Sequence, residues 1–237
     1  MADKLAGLDW ERIEKEVEEV GFSKTPPLLS AEECKQLIGV YSDDTRFRSR
    51  VEMARFRFGE GEYKYFCYPL PPQVEAIRQQ AYPHLAGIAA NWGRKQGDAR
   101  GDAREYPKAL EGFLDLCHKQ GQKRPTPLLL KYEAGGYNCL HQDLYGDIAF
   151  PLQMTCVLSR PGIDYTGGEL ILVEQRPRAQ SRAEAITLEQ GEAIVFPNNQ
   201  RPVRGAKGYY RVTVRHGVSR LLSGTRYSLG IIFHDAK

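Results

Sequence analysis

Long apolar runs are absent from this sequence of 237 residues, so no segment reads as a transmembrane span. The first residues, Met1-Ala2-Asp3-Lys4-Leu5, lack the apolar stretch and cleavage site of a secretory signal, and the expected compartment is the cytoplasm. Cysteine is sparse and unpatterned. Cys34, Cys67, Cys117, Cys139 and Cys156 are odd in number, scattered and never arranged as CxxC. That argues against a disulfide framework and a zinc knuckle and leaves ordinary thiols in a reducing compartment. Charge of one sign is not in excess either: a net charge of +3 does not by itself indicate a nucleic-acid partner. What is present is 41% apolar and 27% charged, ordinary for a globular chain able to bury a sizeable core. We read one domain over residues 1–237, with 1–125 a helical and substrate-side elaboration and 126–237 the core.

The periodicities divide the chain in the same way. Leu8 to Val20 predicts an amphipathic helix with Trp10, Ile13, Val17 and Val20 on one stripe, ended by Thr25-Pro26-Pro27. Ser30-Ala31-Glu32-Glu33 has capping-box spacing and predicts a second helix to about Tyr41. Arg46 to Tyr68, with near-alternation in Arg55-Phe56-Arg57-Phe58, predicts strands with one wet face. A helix follows Pro71-Pro72 through about Trp92, Gln96 to Pro107 is an expected exposed loop, and Leu110 to Lys119 a short helix. From Pro125 onward short β-rich runs recur: Leu128–Tyr132, Gln153–Ser159, Glu169–Val173, Ala193–Phe196, Arg211–Val214 and Arg226–Phe233. Gly, Pro and Asn turns separate them. The fold class is therefore mainly β with N-terminal helices, a sandwich or jelly-roll barrel with helices packed on one side.

Leu140-His141-Gln142-Asp143 places an imidazole and a carboxylate two residues apart, and on a strand that spacing puts both on one face. A third metal ligand must come from elsewhere, and His216 suits best, 73 residues after Asp143. Two histidines and one carboxylate on one face of an octahedron leave the opposite face open, as in non-haem iron(II) oxygenases. Ten residues beyond His216 comes Arg226, within Gly224-Thr225-Arg226-Tyr227-Ser228. Arg226 and Ser228 share a strand face and suit the distal carboxylate of a dicarboxylic acid, by a bidentate fork and a hydroxyl hydrogen bond. His234, the rival ligand, has no arginine or serine after it at a useful distance and is expected to be structural or on the surface; His84 and His118 lie in helical segments. Tyr137 and Thr155 are candidates for the pocket wall or the core, and Asp147 beside Gly146 reads as turn chemistry.

His141-x-Asp143, then His216, then Arg226-x-Ser228 resembles the iron(II)- and 2-oxoglutarate-dependent oxygenase superfamily, whose core is a double-stranded β-helix. Tyr132-Glu133-Ala134-Gly135-Gly136-Tyr137, Gly167-Gly168-Glu169-Leu170 and Gln190 to Phe196 are similar to its prolyl-4-hydroxylase-like branch. The resemblance covers roughly Leu128 to His234, with Leu28 to Cys34 familiar before it. It implies iron(II) held by His141, Asp143 and His216, 2-oxoglutarate as cosubstrate held by Arg226, Ser228 and Tyr132, and molecular oxygen consumed. Succinate and CO2 would be released as a substrate C–H bond is hydroxylated. Related halogenases lack the carboxylate, so Asp143 favours hydroxylation. Two features depart from the branch. Lys is frequent where Arg226 stands, and the interval from Asp143 to His216 is long, the excess falling in Asn198 to Tyr209.

The resemblance points to a dioxygenase acting on an unidentified protein side chain or small molecule. An AlkB-like nucleic-acid demethylase ranks second, because that class has a further arginine where this chain has Ile232 and an asparagine where it has Leu130. A catalytically silent binding module on the same barrel is disfavoured by the intact ligand set, and a cupin by the lack of HxH. Substrate choice falls to the loops Arg46–Tyr68, Gly97–Pro107 and Leu144–Pro151. The cluster Arg46, Arg48, Arg50, Arg55 and Arg57, interleaved with phenylalanines, suits phosphates and bases, an acidic partner, or simply a cationic strand face.

Overall fold

A computed structural model describes residues 2–95 and 106–237. The expected loop Gln96–Pro107 lies outside the described residues up to residue 105. Helices α1 (Ala2–Ala6), α2 (Trp10–Glu19) and α3 (Ala31–Val40) come first, with a short strand β1 (Ser23–Lys24) between the last two. Then follow β2 (Phe47–Glu52), β3 (Gly59–Glu60), β4 (Glu62–Phe66), α4 (Pro72–Lys95) and α5 (Leu110–Lys119). Ten strands complete the chain: β5 (Leu128–Glu133), β6 (Tyr137–His141), β7 (Leu152–Val157), β8 (Tyr165–Gly167), β9 (Leu170–Gln175), β10 (Arg182–Ile186), β11 (Ala193–Pro197), β12 (Gln200–Gly205), β13 (Gly208–Val218) and β14 (Leu221–Ile232). No helix among the described residues is long and apolar enough to cross a membrane.

The local signals account for the helices. Ser30 accepts from the Glu33 amide while the Glu33 carboxylate accepts from the Ser30 amide, closing the capping box and satisfying two otherwise orphaned donors. In α2, Asp9 caps the Arg12 amide and Ile13 and Val17 are fully buried. Val20, expected on the same stripe, is the C-cap residue just past the helix end and is exposed. Trp10 stacks flat on His84 of α4, with ring centroids 4.3 Å apart.

Every strand ladder is antiparallel, in two sheets. The larger runs β1-β11-β7-β14-β5-β4-β2, with β8 on the far end of β14; the smaller runs β10-β9-β13-β6-β3, with β12 on the first half of β13. This is the mainly β jelly-roll architecture, with helices supporting the larger sheet. Strand pleating sorts the larger sheet's side chains cleanly. On β14, Leu229 and Ile231 face the helix-side core with Leu129, Met154, Cys156, Ile77 and Leu85. Their alternates Arg226, Ser228, Gly230 and Ile232 line a cavity between the sheets. Full burial of each such aliphatic side chain contributes about 1.5–3 kcal/mol. The helix-facing half of the sheet thus stabilises the fold and frees the other half for polar residues.

Two expectations fail in instructive ways. Arg55-Phe56-Arg57-Phe58 is not strand: Met53–Phe56 is a 3-10 turn and Arg57 is left-handed at φ 60. Its alternation has no buried face, since Phe56 and Phe58 are both exposed, and the Phe58 amide bonds back to the Met53 carbonyl instead of to a neighbouring strand. Asp143 is also off the strand, because β6 ends at His141.

Candidate metal and cosubstrate site

The cavity between the sheets has a volume of about 420 Å³. The structure brings all six predicted site residues, His141, Asp143, His216, Arg226, Ser228 and Tyr132, to its wall. His141 ends β6 and His216 sits near the end of β13, directly paired across the smaller sheet. The ladder shifts register just after His216, and Gly217 permits the close approach: a Cβ there would stand 2.6 Å from the Asn138 carbonyl oxygen. The imidazole centroids lie 4.2 Å apart. Asp143 lies between them, with Oδ2 3.1 Å from His216 Nε2 and Oδ1 3.6 Å from His141 Nε2. One donor atom from each of the three lies within 4.8 Å of the others, the arrangement of a metal site.

Since no strand holds Asp143, side chains do. Asn198, buried just past β11, accepts from the Asp143 amide at 3.1 Å and donates to the Asp143 carbonyl at 2.5 Å. Gln142 donates to the Asn199 and Val214 carbonyls at 3.1 and 2.9 Å, tying the same loop to β13. The Tyr145 hydroxyl donates to Asp143 Oδ1 at 2.5 Å. Burial pushes the Asp143 carboxyl up, but the imidazoles of His216 and His141 and the Tyr145 hydrogen bond outweigh it, and it stays well below the usual carboxylate range. Asp143 is therefore an anion. His141 Nδ1 lies 2.8 Å from the Cys139 carbonyl, a bond that needs the proton on Nδ1 and turns the Nε2 lone pair to the cluster. Burial, then the neighbouring His216, lowers the His141 pKa and favours the neutral ring.

Arg226 lines the same cavity. It is buried, and among the described residues its guanidinium makes no ion pair with a carboxylate. Nη1 donates to Ser228 Oγ at 3.1 Å, Nε has no partner, and the guanidinium lies 5.8 Å from the ring centroids of both Tyr132 and Tyr165. Tyr132 is opposite Arg226 in the β14–β5 ladder, and its hydroxyl accepts from Asn138 at 3.3 Å. Burial raises the Tyr132 phenol far above its ordinary range, so it remains protonated. A buried cation with no counter-anion is costly unless a ligand supplies one.

The lesser candidates fall out plainly. Thr155 lines the cavity, whereas Tyr137 lies outside it under the Arg220 guanidinium. His234 is fully buried, accepts from the Phe150 amide and is pushed down to about 4 by burial, a structural residue. His118 pairs with buried Asp235, and Asp147 pairs with Lys237 on the surface. Sequence reasoning missed Asn198, Tyr145 and Tyr165. Only Pro197-Asn198-Asn199 carried a signal, as a turn after an apolar strand.

Two antiparallel sheets with two imidazoles, a carboxylate and a buried arginine on the wall of one cavity are the arrangement of the iron(II)- and 2-oxoglutarate-dependent oxygenase class. The comparisons agree. Residues 61–236 match the model of the Oxygenase-NA family, described as an oxygenase catalysing oxidative methylation of damaged DNA, and the chain belongs to that family. A Mycobacterium tuberculosis protein without a functional name is 50% identical over 171 residues, 72% of each chain. Among solved structures, a prolyl hydroxylase of Trichoplax adhaerens, in complex with a hypoxia inducible factor peptide fragment, superposes with a TM-score of 0.56 at 15% identity, covering 94% of this chain and 87% of that one. A 2-oxoglutarate–iron(II) oxygenase family member from Burkholderia pseudomallei gives 0.51 at 15% identity, covering 97% and 93%. At these identities the likeness is one of fold, prolyl-hydroxylase-like in its arrangement. Iron(II), 2-oxoglutarate and oxygen are the cofactors that this membership implies.

Proposed function

We propose that the whole chain acts as one oxygenase domain in which His141, Asp143 and His216 hold iron(II) and Arg226, Ser228 and Tyr132 hold 2-oxoglutarate. The observation that carries this reading is Arg226: a buried guanidinium without a carboxylate, in the same cavity as a neutral–anionic–imidazole ligand set. The residues fit both groups. Two nitrogens and one carboxylate oxygen suit iron(II) with an open face, and an Arg–Ser fork without a carboxylate partner suits a carboxylate. Bound there, iron(II) and 2-oxoglutarate would activate molecular oxygen, which is the oxidant: one oxygen atom would enter the substrate C–H bond and the other succinate, with CO2 released. The protein's own work is positional. Asp143 offers one oxygen while Tyr145 occupies the other, His141 presents Nε2 because Cys139 holds Nδ1, and the apolar walls Leu128, Leu130 and Ile232 keep water from the reacting carbon.

The motif pattern puts a protein side chain or a small molecule first as substrate. The family description supports a second reading, an alkylated base in nucleic acid. Hydroxylation of an N-methyl group would give a hydroxymethyl adduct, which breaks its C–N bond to release formaldehyde and returns the proton to nitrogen. The cytoplasm remains the proposed compartment, supported by five free thiols. Anaerobic titration with iron(II) and 2-oxoglutarate should produce a weak metal-to-ligand charge-transfer band. No band at saturating ligand would refute the site assignment.

A further inference from the structure

The arginine–phenylalanine run singled out in the sequence is only partly spent on the fold. Arg48 lies over the Tyr65 ring and donates to the Pro125 carbonyl, Arg50 pairs with Glu62, and Arg55 pairs with Glu52. Arg57 makes no side-chain hydrogen bond or ion pair among the described residues, and it lines the catalytic cavity. On either side of it, Phe56 and Phe58 stack on each other with centroids 5.5 Å apart and planes at 22°, yet are 57% and 46% exposed. Two large rings stacked in water beside a free cation make a surface complementary to something both planar and anionic.

The backbone fixes this turn with respect to the site. Arg57 is held left-handed by its amide's bonds to the Met53 and Ala54 carbonyls, a conformation that is uncommon for arginine. Gly59 follows at φ 135, where a Cβ would stand 2.3 Å from the Tyr137 carbonyl oxygen, so the turn packs directly on β6. The Phe58 carbonyl accepts from the Cys139 amide at 2.8 Å, and the Cys139 carbonyl holds His141 Nδ1. Two hydrogen bonds thus connect the exposed rings to a proposed iron ligand.

We propose that Phe56-Arg57-Phe58 is a docking element for single-stranded nucleic acid at the cavity mouth. It stacks a base adjacent to the one entering the cavity and pairs Arg57 with a backbone phosphate. The inference rests on the nucleic-acid reading of the substrate. Stacked aromatics interleaved with arginine form the sequence-tolerant platform that single strands use.

The test is fluorescence anisotropy of the full chain with fluorescein-labelled oligothymidylate, alongside formaldehyde release from an oligonucleotide carrying an N-methylated base. Phe56→Ala with Phe58→Ala should weaken binding about tenfold or more, and Arg57→Ala should reduce the salt dependence by about one phosphate contact. Phe56→Ala alone removes nothing from the core and guards against misfolding as the cause; it should weaken binding in the same direction. Wild type binding oligothymidylate with all variants within about twofold would overturn the docking element and leave the nucleic-acid reading standing. Failure of wild type both to bind and to release formaldehyde would remove that reading and the docking element together. Binding of labelled polyglutamate through the same residues, in place of oligothymidylate, would overturn the proposal in favour of an acidic protein partner.

Discussion

Asn198→Ala should cost both fold stability and metal affinity, and the second loss separates a positioning role from a purely structural one. The Asn198 side chain is buried and fully engaged: Oδ1 accepts from the Asp143 amide at 3.1 Å and from Gln153 at 3.3 Å, while Nδ2 donates to the Asp143 carbonyl at 2.5 Å and to Phe150 at 3.3 Å. Alanine leaves the Asp143 amide and carbonyl without protein partners. At about 1–3 kcal/mol for each unsatisfied buried group, and with water recovering part of it, a net loss of about 2–4 kcal/mol follows. In a chain of this size that lowers the melting temperature by roughly 5–15 °C. The backbone of Asp143 is then free to drift, and removal of such a supporting contact typically costs about 10–100-fold in metal affinity. Thermal melting without metal and anaerobic calorimetric titration with cobalt(II) or iron(II) give the two numbers. A variant that melts early but binds metal within about twofold of wild type would refute the claim that Asn198 places the carboxylate.

Arg226→Ala should raise the 2-oxoglutarate concentration needed for half-maximal succinate formation by about 10–100-fold with metal binding nearly unchanged, because only a charge-assisted fork is lost; an unchanged requirement would remove the anchoring role. Tyr145→Phe deletes a hydrogen bond that helps hold the Asp143 carboxyl down, against burial and together with His216 and His141. A depressed carboxyl contributes stability above its ordinary range that is lost as pH falls toward the folded value. The variant's acid-unfolding midpoint in urea should therefore move to higher pH, and a shift to lower pH would contradict it. Asp235→Ala strands the fully buried Arg78, now paired at 2.8 Å, and should cost about 3–5 kcal/mol in chemical denaturation without changing cobalt(II) affinity. Equal stability to wild type would mean that Arg78 finds another partner.

The predicted site residues converge in the structure because they sit on strands whose pattern the sequence displays. Arg226, Ser228 and Ile232 alternate with Leu229 and Ile231 on β14, and period-2 alternation is a property of neighbours in the chain. His141 and Asp143 converge for a different reason from the expected one. Strand geometry predicts their approach, yet the strand ends at His141, and Asn198, 55 residues from Asp143, holds the Asp143 backbone in place. Nothing local to Asp143 announces that partner. Tyr165 escaped for the same reason, since it meets Arg226 through the β8–β14 pairing.

The arginine-rich segment shows how far a charge pattern can be read before the fold is known. Five arginines within twelve residues look like one cationic face, but two of them find partners outside the window: Glu62 for Arg50, the Pro125 carbonyl and Tyr65 for Arg48. Net charge and spacing cannot separate an arginine that closes a sheet edge from one left open to solvent. Arg57, which has no side-chain partner among the described residues and lines the cavity, is also the one whose backbone departs from the strand that alternation suggested. Alternation with both phenylalanines exposed is the pattern of a turn that presents its side chains, and a turn next to an open oxygenase cavity is where substrate recognition is expected.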